Sequence, residues 1–413
     1  MPRQAVITGL GIVSPIGTGI AKFWEAALAG RSGTGRPTLF DASNLPAECQ
    51  IVGEVRDFNP LDWMSPQAAR MAGRFSQFAV ASSKMARTDS RLDEADIPAD
   101  RLRVSIGSVM SGHADLGEPT FQAFLRGEPV WPWLSNEYSA HAATSHVAIA
   151  AGARGPTMTF ATACAAGLDA ISWAAECVYQ SAATAVIAGA TETPLSPYLL
   201  SVFHSVGVLS RWAGHPEHAS RPFDKLRSGL VLAEGSAAII VEEKDHALAR
   251  GAKPYANILG YASATEASHL RKVDETGEVA ALAMKKALDC AKISPREIDC
   301  IVAHGNSMQD YDAAETAAIR RTFGRHAWNV PVSSLKSMCG QALGAGSAMQ
   351  VVLSCLSIRD SVIAPTINYT VPDPLCDLDY VTEGARVARL RRILVHAHSL
   401  GGSHVALVLG SPD

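Results

Sequence analysis

FATACAAGLDAI, residues 160–171, is an apolar strand-like run that ends at one cysteine and continues into small residues typical of a helix start. Cys164 lies at that junction, where a cysteine can be inert packing, half of a disulfide, a metal ligand or a nucleophile. The N–H groups in the first turn of a helix favour a thiolate over a thiol, and the neighbouring Ala and Gly residues leave space for a substrate. The junction therefore favours a nucleophile.

The same strand, junction and helix pattern occurs twice in the chain. TMTFATACAAGLDAISWAAECVY (157–179) has a counterpart in VPVSSLKSMCGQALGAGSAMQVVLSCL (330–356), and RLRVSIGSV (101–109) has one in EIDCIVAHG (297–305). We therefore predict two related halves, residues 1–250 and 251–413, whose small-residue helices meet at the centre of the molecule.

Apolar runs bounded by Gly and Pro alternate with helical patterns along the chain. QAVITGLGIVSP (4–15), RVSIGSVM (103–110) and TAVIAGATE (184–192) are typical of buried strands, whereas RFSQFAVASSKMAR (74–87) and AALAMKKALDCAK (280–292) are typical of helices. This alternation predicts an α/β protein whose sheet is covered on both faces.

Composition excludes several classes of function. The chain has 413 residues, of which 47% are hydrophobic and 18% charged, and its net charge of −4 gives no case for nucleic acid binding. No apolar run reaches the length of a membrane span, and the first residues lack the pattern of a signal peptide. The eight cysteines are scattered without paired spacing, which predicts a cytoplasmic protein without disulfides. No spacing indicates a metal site.

Candidate partners of Cys164 follow other strand-like runs. His304 ends the apolar run in IVAHGNSMQDYDAAE (301–315), and Lys336 lies in the junction that mirrors Cys164. In ILVHAHSLGGSHVALVLG (393–410), two glycines separate two strands.

These motifs resemble those of β-ketoacyl-[acyl carrier protein] synthases, the elongating type II ketosynthases of fatty-acid and polyketide assembly. The resemblance includes TACAAG, RPFDKLRSGLVLAEG (221–235), AHGNSMQDYDAAE, LKSMCGQALGAG (335–346) and GGSHVALVLG. It implies a thiolase-like five-layer α-β-α-β-α fold made of two related halves, usually dimeric. The fold is shared with degradative thiolases, but those place their cysteine much earlier in the chain.

The resemblance also implies a reaction, decarboxylative Claisen condensation. An acyl group would pass to the Cys164 sulfur, and malonyl on acyl carrier protein would lose carbon dioxide and attack that thioester. His304 would stabilise the enolate, Lys336 would pair with Glu315 around that histidine, and the main-chain N–H groups of Cys164 and Leu400 would form the oxyanion hole. The implied partners are acyl carrier protein, acyl and malonyl thioesters and a second ketosynthase-like subunit, in a homodimer or a heterodimer. No cofactor is implied beyond the phosphopantetheine arm of the carrier protein.

Several positions depart from the family pattern. Gln341 replaces the second active-site histidine, and an amide can donate a hydrogen bond but cannot transfer a proton. Asn306 and Met308 replace two threonines that would meet the pantetheine arm, and Leu400 replaces the phenylalanine of the gate. These changes favour a specialised pathway over a housekeeping role.

The resemblance extends to the residues around the substrate. It places Met110 in the acyl tunnel, and it counts Asn306, Met308, Leu400 and the two glycines that follow, Gly401 and Gly402, among the substrate-binding positions.

His396 and His398 are two residues apart and share a face if they lie on a strand. They can be hydrogen-bonded core histidines, or His398 can substitute for the missing histidine. A metal site is disfavoured, because no acidic or cysteine ligand accompanies the pair in the sequence.

Three functions remain open. The first is an active condensing enzyme with a Cys-His-Gln site, which we favour. The second is an acyltransferase subunit that loads Cys164 without elongating. The third is a non-catalytic partner that resembles chain-length factors, and the retention of Cys164 argues against it.

Overall fold

The computed structural model describes residues 3–412. The apolar runs form strands, which are β1 (Ala5–Ser14), β2 (Gly17–Thr18), β3 (Thr34–Gly35), β4 (Val52–Gly53), β5 (Leu102–Gly107), β6 (Thr157–Phe160), β7 (Ala185–Glu192), β8 (Gly235–Glu243), β9 (Ala256–Thr265), β10 (Cys300–Val302), β11 (Val332–Ser333), β12 (Val362–Ile363), β13 (Arg386–Val387), β14 (Arg392–His398) and β15 (Ser403–Gly410). The helices are α1 (Ile20–Leu28), α2 (Pro66–Met71), α3 (Arg74–Ser90), α4 (Gly117–Leu125), α5 (Leu134–Glu137), α6 (His141–Ala151), α7 (Ala166–Tyr179), α8 (Pro197–Val206), α9 (Lys244–Ala249), α10 (Glu278–Ala291), α11 (Gln309–Phe323), α12 (Lys336–Cys339) and α13 (Leu343–Asp360).

The main sheet repeats one topology. Its first half has the strand order β6-β5-β7-β8-β1, and its second half has the order β11-β10-β14-β15-β9. In both halves the first three strands of that order run parallel to one another. Each of the last two strands is antiparallel to the strand before it in that order. The two halves join where Ala5–Ile7 of β1 pairs with Ala256–Ile258 of β9. The prediction of two related halves is thereby confirmed in topology, whereas the boundary at residue 250 as a division into domains stays a prediction.

The helices complete five layers. Helices α3 and α6 pack on the outer face of the first half-sheet, and α10 and α11 pack on the outer face of the second. Helices α7 and α13 lie between the half-sheets and contact both. The thiolase-like α-β-α-β-α fold is confirmed.

Small residues allow the two central helices to approach closely. A Cβ atom on Gly167 of α7 would lie 2.7 Å from the main-chain oxygen of Gly344 and from the main-chain nitrogen of Ala348, both on α13. Such contacts are too short for any side chain, so the glycine- and alanine-rich helix starts are required by packing. This packing brings the two junctions, and with them the residues around Cys164 and Leu343, to the middle of the molecule.

The predicted strands and helices are found, but two strands are shorter than the sequence indicated. The strand before Cys164, β6, ends at Phe160. RVSIGSVM leaves the sheet at Gly107, because the main-chain N–H groups of Val109 and Met110 donate instead to the carboxylate of Glu192, at 2.6 and 3.0 Å. Within residues 3–412, no helix combines the length and the apolar character that a membrane span requires.

Candidate active site

Cys164 lies in a tight turn between strand and helix. The turn Ala163–Ala165 separates β6 from α7, and Ala163 has a φ of 53°. A residue with a Cβ atom in this left-handed region is strained, and such strain is held in place only where surrounding contacts determine it. The mirrored junction has the same feature, because Leu343 at the start of α13 has a φ of 44°. The turn buries Cys164 so that 7% of its surface is exposed.

Ser399 fixes this turn to the second half of the chain. Its hydroxyl donates to the carbonyl oxygen of Thr162 at 2.8 Å and accepts from the main-chain N–H of Ala165 at 2.9 Å. Ser399 directly follows β14 and precedes Leu400. The gate and the nucleophile turn are therefore held together by one buried hydroxyl group, a role that the sequence motif did not reveal.

The thiol of Cys164 is protonated at neutral pH. Burial raises its pKa to about 11, although the cation of Lys336 and the main-chain N–H groups of Leu400 and Cys164 lower it. The N–H groups thus favour the thiolate as expected, but burial outweighs them and raises the pKa of Cys164 overall.

We expect alkylation of Cys164 by iodoacetamide to accelerate about tenfold per pH unit from pH 7 to pH 10, because only the thiolate reacts. Peptide mass spectrometry identifies the labelled residue, in a Cys290→Ser background that lacks the exposed thiol. Lys336→Met should slow labelling most at pH 7, where its amine, with a pKa of about 8, is charged and lowers the pKa of Cys164. A rate that is flat between pH 7 and pH 9 would reveal a resting thiolate and contradict this expectation.

Two buried carboxylates hold the loop that carries His304. The main-chain N–H groups of His304 and Gly305 donate to Glu315 at 2.7 and 2.8 Å, and that of Asn306 donates to Asp312 at 2.9 Å. Both carboxylates project from α11, whose first turns follow the loop. The spacing of the AHGNSMQDYDAAE motif thus places the histidine in a fixed orientation at the end of β10.

The imidazole of His304 is neutral, and its tautomer is fixed by the main chain. Burial lowers its pKa well below the usual value, and the cation of Lys336 lowers it further. The N–H of His398 lies 3.2 Å from Nδ1 and can only donate, so Nδ1 accepts and the ring proton lies on Nε2. The side-chain nitrogen Nδ2 of Asn306 lies 3.2 Å from Nε2. With the ring proton on Nε2, both nitrogens are N–H donors and cannot bond to each other, whereas one oxygen atom could accept from both at about 2.9 Å.

Lys336 supports this loop in a way that differs from the prediction. Its ammonium group donates to the main-chain oxygen of His304 at 2.7 Å and to Oε1 of Gln350 at 3.1 Å. It forms no ion pair with Glu315 within residues 3–412, because that carboxylate is occupied by main-chain N–H groups and by Nδ1 of His396 at 2.6 Å. Lys336 and Glu315 still interact through their charges, and Glu315 raises a lysine pKa that burial has lowered.

Gln341 is held by its main chain rather than by its amide. Its N–H donates to the carbonyl of Val231 at 2.7 Å, and its carbonyl accepts from Ala233 at 2.9 Å. The side-chain atom Oε1 is buried and has no hydrogen-bond partner among the residues that the structure describes. An unpaired buried amide oxygen is costly, and the role of Gln341 in catalysis stays a prediction.

Two of the remaining substrate-binding candidates, Met110 and Met308, lie beside the apolar cluster that contains Cys164. Leu343 belongs to the same apolar cluster as Cys164, and the side chains of Met110 and Met308 pack against that cluster. The gate turn after Leu400 is made by Gly401 and Gly402, with φ values of 93° and 81°. The roles of these residues in binding stay predictions.

Glu192 is a second residue that sequence analysis missed. It is fully buried at the end of β7, burial raises its pKa to about 8, and it holds the loop of Met110 through the two N–H groups described above. The sequence feature that could have identified Glu192 is a glutamate at the end of a buried strand, as in TAVIAGATE.

His396 and His398 are buried core histidines on β14, but they have an acidic neighbour. His404 on β15 lies between His396 and Glu266, and Glu266 directly follows β9. Nε2 of His398 lies 3.6 Å from Oε1 of Glu266. The expectation that no acidic ligand accompanies the histidines is therefore wrong, because strand pairing brings Glu266 across a sequence separation of more than one hundred residues. A role of His398 as a second catalytic imidazole stays a prediction.

A cysteine at a strained helix start, two converging N–H donors and a thiolase-like fold define an enzyme that transfers acyl groups through a thioester. The chain belongs to the β-ketoacyl synthase family, because the N-terminal domain of that family matches residues 3–247 and the C-terminal domain matches residues 255–370.

Similar proteins include a 3-oxoacyl-[acyl-carrier-protein] synthase and polyketide ketosynthases. The chain is 40% identical to 3-oxoacyl-[acyl-carrier-protein] synthase 2 of Coxiella burnetii (strain RSA 493 / Nine Mile phase I) over 409 residues, which cover 98% of each protein. Among solved structures, it superposes with a TM-score of 0.91 on a type II polyketide ketosynthase that is bound to its acyl carrier protein and a hexaketide, at 33% identity over all of both chains. It superposes equally well, at 30% identity and again over all of both chains, on the ishigamide ketosynthase/chain length factor. The chain is thus an acyltransferase of the ketosynthase type.

Proposed function

We propose that this ketosynthase performs decarboxylative condensation in a specialised type II polyketide or fatty-acid-like pathway, with Gln341 in place of the usual second histidine and Asn306 as a further hydrogen-bond donor. The observation that carries the proposal is the pair of donors, Nε2 of His304 and Nδ2 of Asn306, 3.2 Å apart. Enolate formation places negative charge on one oxygen, and two N–H donors at this separation suit that oxygen.

The first step is acyl transfer to Cys164. The sulfur attacks the acyl thioester, the bond from the carbonyl carbon to the pantetheine sulfur breaks, and the thiol proton moves to the departing pantetheine sulfur. The N–H groups of Leu400 and Cys164 lie against the Cys164 sulfur and lower its pKa. They are thus close to where the carbonyl oxygen develops charge in this step.

The second step is condensation. The malonyl thioester loses carbon dioxide, and its carbonyl oxygen becomes an enolate oxygen that accepts from His304 and Asn306. The enolate carbon forms a bond to the acyl carbon, and the Cys164 sulfur leaves as a thiolate that takes a proton from water. No imidazole has to exchange a proton, which is why an amide at position 341 is compatible with the reaction. Gln341 would hold the thioester group through its amide.

We infer that the substrates arrive on acyl carrier protein and that the chain pairs with a second ketosynthase-like subunit, either a copy of itself or a chain-length factor. The carrier-protein complex and the chain-length-factor assembly among similar structures support this proposal. All eight cysteines are free thiols, which supports a reducing cytoplasm.

Intact-protein mass spectrometry with acyl- and malonyl-carrier protein tests the function. An acyl adduct on the chain together with an elongated β-ketoacyl carrier protein supports condensation. An adduct without elongation would identify an acyltransferase subunit instead. If neither appears, even with a candidate partner subunit added, the chain is a non-catalytic partner and the proposal is wrong.

The role of Gln341 is tested by restoring the family residue. Gln341→His should leave condensation within about tenfold of the parental rate, because an imidazole N–H replaces an amide N–H as donor. Elongation measured by mass spectrometry is the readout, and Gln350→His, which disrupts the Lys336 contact, is the contrasting variant and should lose activity. If the parent does not elongate but the Gln341→His variant does, position 341 alone blocks condensation.

Met110 is expected to limit acyl-chain length. Its side chain packs against the Cys164 cluster, and it also lines a largely apolar cavity of about 760 Å³ together with Phe121, Leu134 and Tyr198. Met110→Ala should therefore open a path from the sulfur to this cavity and allow longer acyl chains to load, as measured by competition between acyl thioesters of different length. Met308→Ala is the matched control on the other side of the cluster. An unchanged chain-length profile would mean that the tunnel ends elsewhere.

A further inference from the structure

The imidazoles of His398 and His404 and the carboxylate of Glu266 meet in one enclosed space beside the gate turn. Their ligand atoms lie within 4.8 Å of one another, and each side chain is 2% exposed. Oε1 of Glu266 lies 2.9 Å from Nε2 of His404 and 3.6 Å from Nε2 of His398. Three donors of this kind are not needed by the condensation chemistry.

Hydrogen bonding leaves this group incomplete. Nε2 of His398 has no hydrogen-bond partner among the described residues, and its distance from Oε1 of Glu266 is too long for a hydrogen bond. A buried ring nitrogen without a partner is costly. This nitrogen lies within 4.8 Å of the ligand atoms of His404 and Glu266, so a further group bound by all three would complete the arrangement.

We propose that Glu266, His398 and His404 bind one divalent first-row metal ion of the zinc class. Two imidazole nitrogens and one carboxylate oxygen are a donor set that such ions prefer over magnesium or calcium. Ligand atoms about 2.0–2.1 Å from a tetrahedral zinc ion lie roughly 3.3–3.4 Å apart. The observed separations of 2.9 and 3.6 Å lie on either side of that value. The two imidazole rings have centroids 4.0 Å apart, so they would have to move apart by roughly 1 Å for both to bind one tetrahedral ion.

The surrounding residues orient these ligands. Oε2 of Glu266 accepts from the main-chain N–H of Asp274 at 3.0 Å, which directs Oε1 toward the histidines. Nδ1 of His404 lies 3.4 Å from Nε2 of His396, whose Nδ1 lies 2.6 Å from Glu315. A second ring nitrogen that is engaged by neighbouring groups is the usual arrangement around a metal-binding histidine.

Both imidazoles are in the neutral form that binds metals. Burial lowers the pKa of His404 to about 3 and lowers that of His398 well below its usual value. The ring of His398 also stacks on Tyr311, with centroids 4.4 Å apart, so it cannot turn away from the site without losing that contact. The donors are thus held together before any ion binds.

The ion connects three parts of the chain. His398 and His404 face each other as the last pair of the β14–β15 hairpin, on either side of the turn that carries Leu400. Glu266 lies beyond the end of β9 and its N–H donates to the carbonyl of Gly402 at 2.8 Å. Metal binding therefore braces the gate turn between β14 and β15.

Cobalt binding to the full-length chain tests the site. The purified protein is stripped with a chelator and titrated with Co²⁺, whose visible absorption bands report coordination by nitrogen and oxygen, and Zn²⁺ is then used as a competitor. We expect one ion per chain, and we expect Glu266→Gln and His398→Phe each to weaken binding by at least about a hundredfold, because each removes a direct ligand. His215→Gln combined with His218→Gln, a histidine pair outside this site whose ring centroids are 6.1 Å apart, is the control and should bind as the parent does.

Three results would overturn the proposal. They are a parent that takes up no stoichiometric Co²⁺ or Zn²⁺, a Glu266→Gln variant with the parental affinity, or a loss of binding in the His215/His218 control. Glu266→Gln preserves the size of the side chain, and circular dichroism verifies that it folds, so this variant decides the question even if His398→Phe does not fold. The experiment measures metal binding, so its outcome does not depend on whether the chain is an active condensing enzyme.

Discussion

Cys164→Ala should abolish covalent acyl loading while leaving the fold and the malonyl-decarboxylating donors intact. The change removes only a sulfur atom from a buried turn whose geometry is set by Ser399 and by main-chain contacts. No other thiol can take over, because the remaining members of the Cys164 cluster are Cys49 and apolar side chains, and Cys49 donates its thiol to the carbonyl of Leu200. Intact mass after incubation with acyl-carrier protein is the measurement.

Matched variants separate this role from general thiol chemistry. Cys290→Ala removes the exposed thiol and should load at the parental rate. Release of carbon dioxide from malonyl-carrier protein should persist in Cys164→Ala, because the donors on His304 and Asn306 do not involve the sulfur. Acylation that survives in Cys164→Ala would mean that the nucleophile is another residue.

The fold could be predicted from the sequence because the duplication leaves a visible pattern. The strand, junction and helix around Cys164 recur around Leu343, and the structure shows why both junctions need small residues, since the Cβ of Gly167 would meet the main chain of α13 at 2.7 Å. The strained φ values at Ala163 and Leu343 leave no such signal. Alanine and leucine are ordinary helix formers, so only the tertiary contacts reveal that their backbones are forced into the left-handed region.

The site was predictable as a set of residues and less predictable as a set of contacts. Motif spacing identified His304 and Glu315, because both lie on one loop and the helix that follows it. It did not reveal that Lys336 binds the carbonyl of His304, nor that Glu266 reaches His404, since these contacts depend on how distant strands align. It also did not reveal how strongly burial raises the pKa of Cys164, because helix N–H groups can be inferred from the sequence whereas the extent of burial cannot.

His304→Ala should leave acyl loading of Cys164 largely intact and lower malonyl decarboxylation by about a hundred- to a thousandfold, or roughly 3–4 kcal/mol. The main-chain groups of His304 keep their bonds to Glu315 and Lys336 in this variant, so the loop should stay in place. What disappears is the Nε2 donor, and also the Nδ1 acceptor for the N–H of His398. Carbon dioxide release is the readout for the first loss, and acyl loading reports whether the gate turn has moved.

Two further variants at His304 separate the roles of its two ring nitrogens, and a third variant removes the donor of Asn306. His304→Asn places an amide oxygen near the position of Nδ1, so it should keep the bond from His398 and yet decarboxylate as slowly as His304→Ala. His304→Gln places an amide N–H near the position of Nε2, so it should recover part of the rate. Asn306→Ala removes the second donor, 3.2 Å from Nε2, and should cost about tenfold or more, because hydrogen bonds to charged groups are worth roughly 1.5–3 kcal/mol. Decarboxylation at the parental rate in His304→Ala would show that the enolate forms elsewhere, and equal rates in the Asn and Gln variants would show that Nε2 is not the donor.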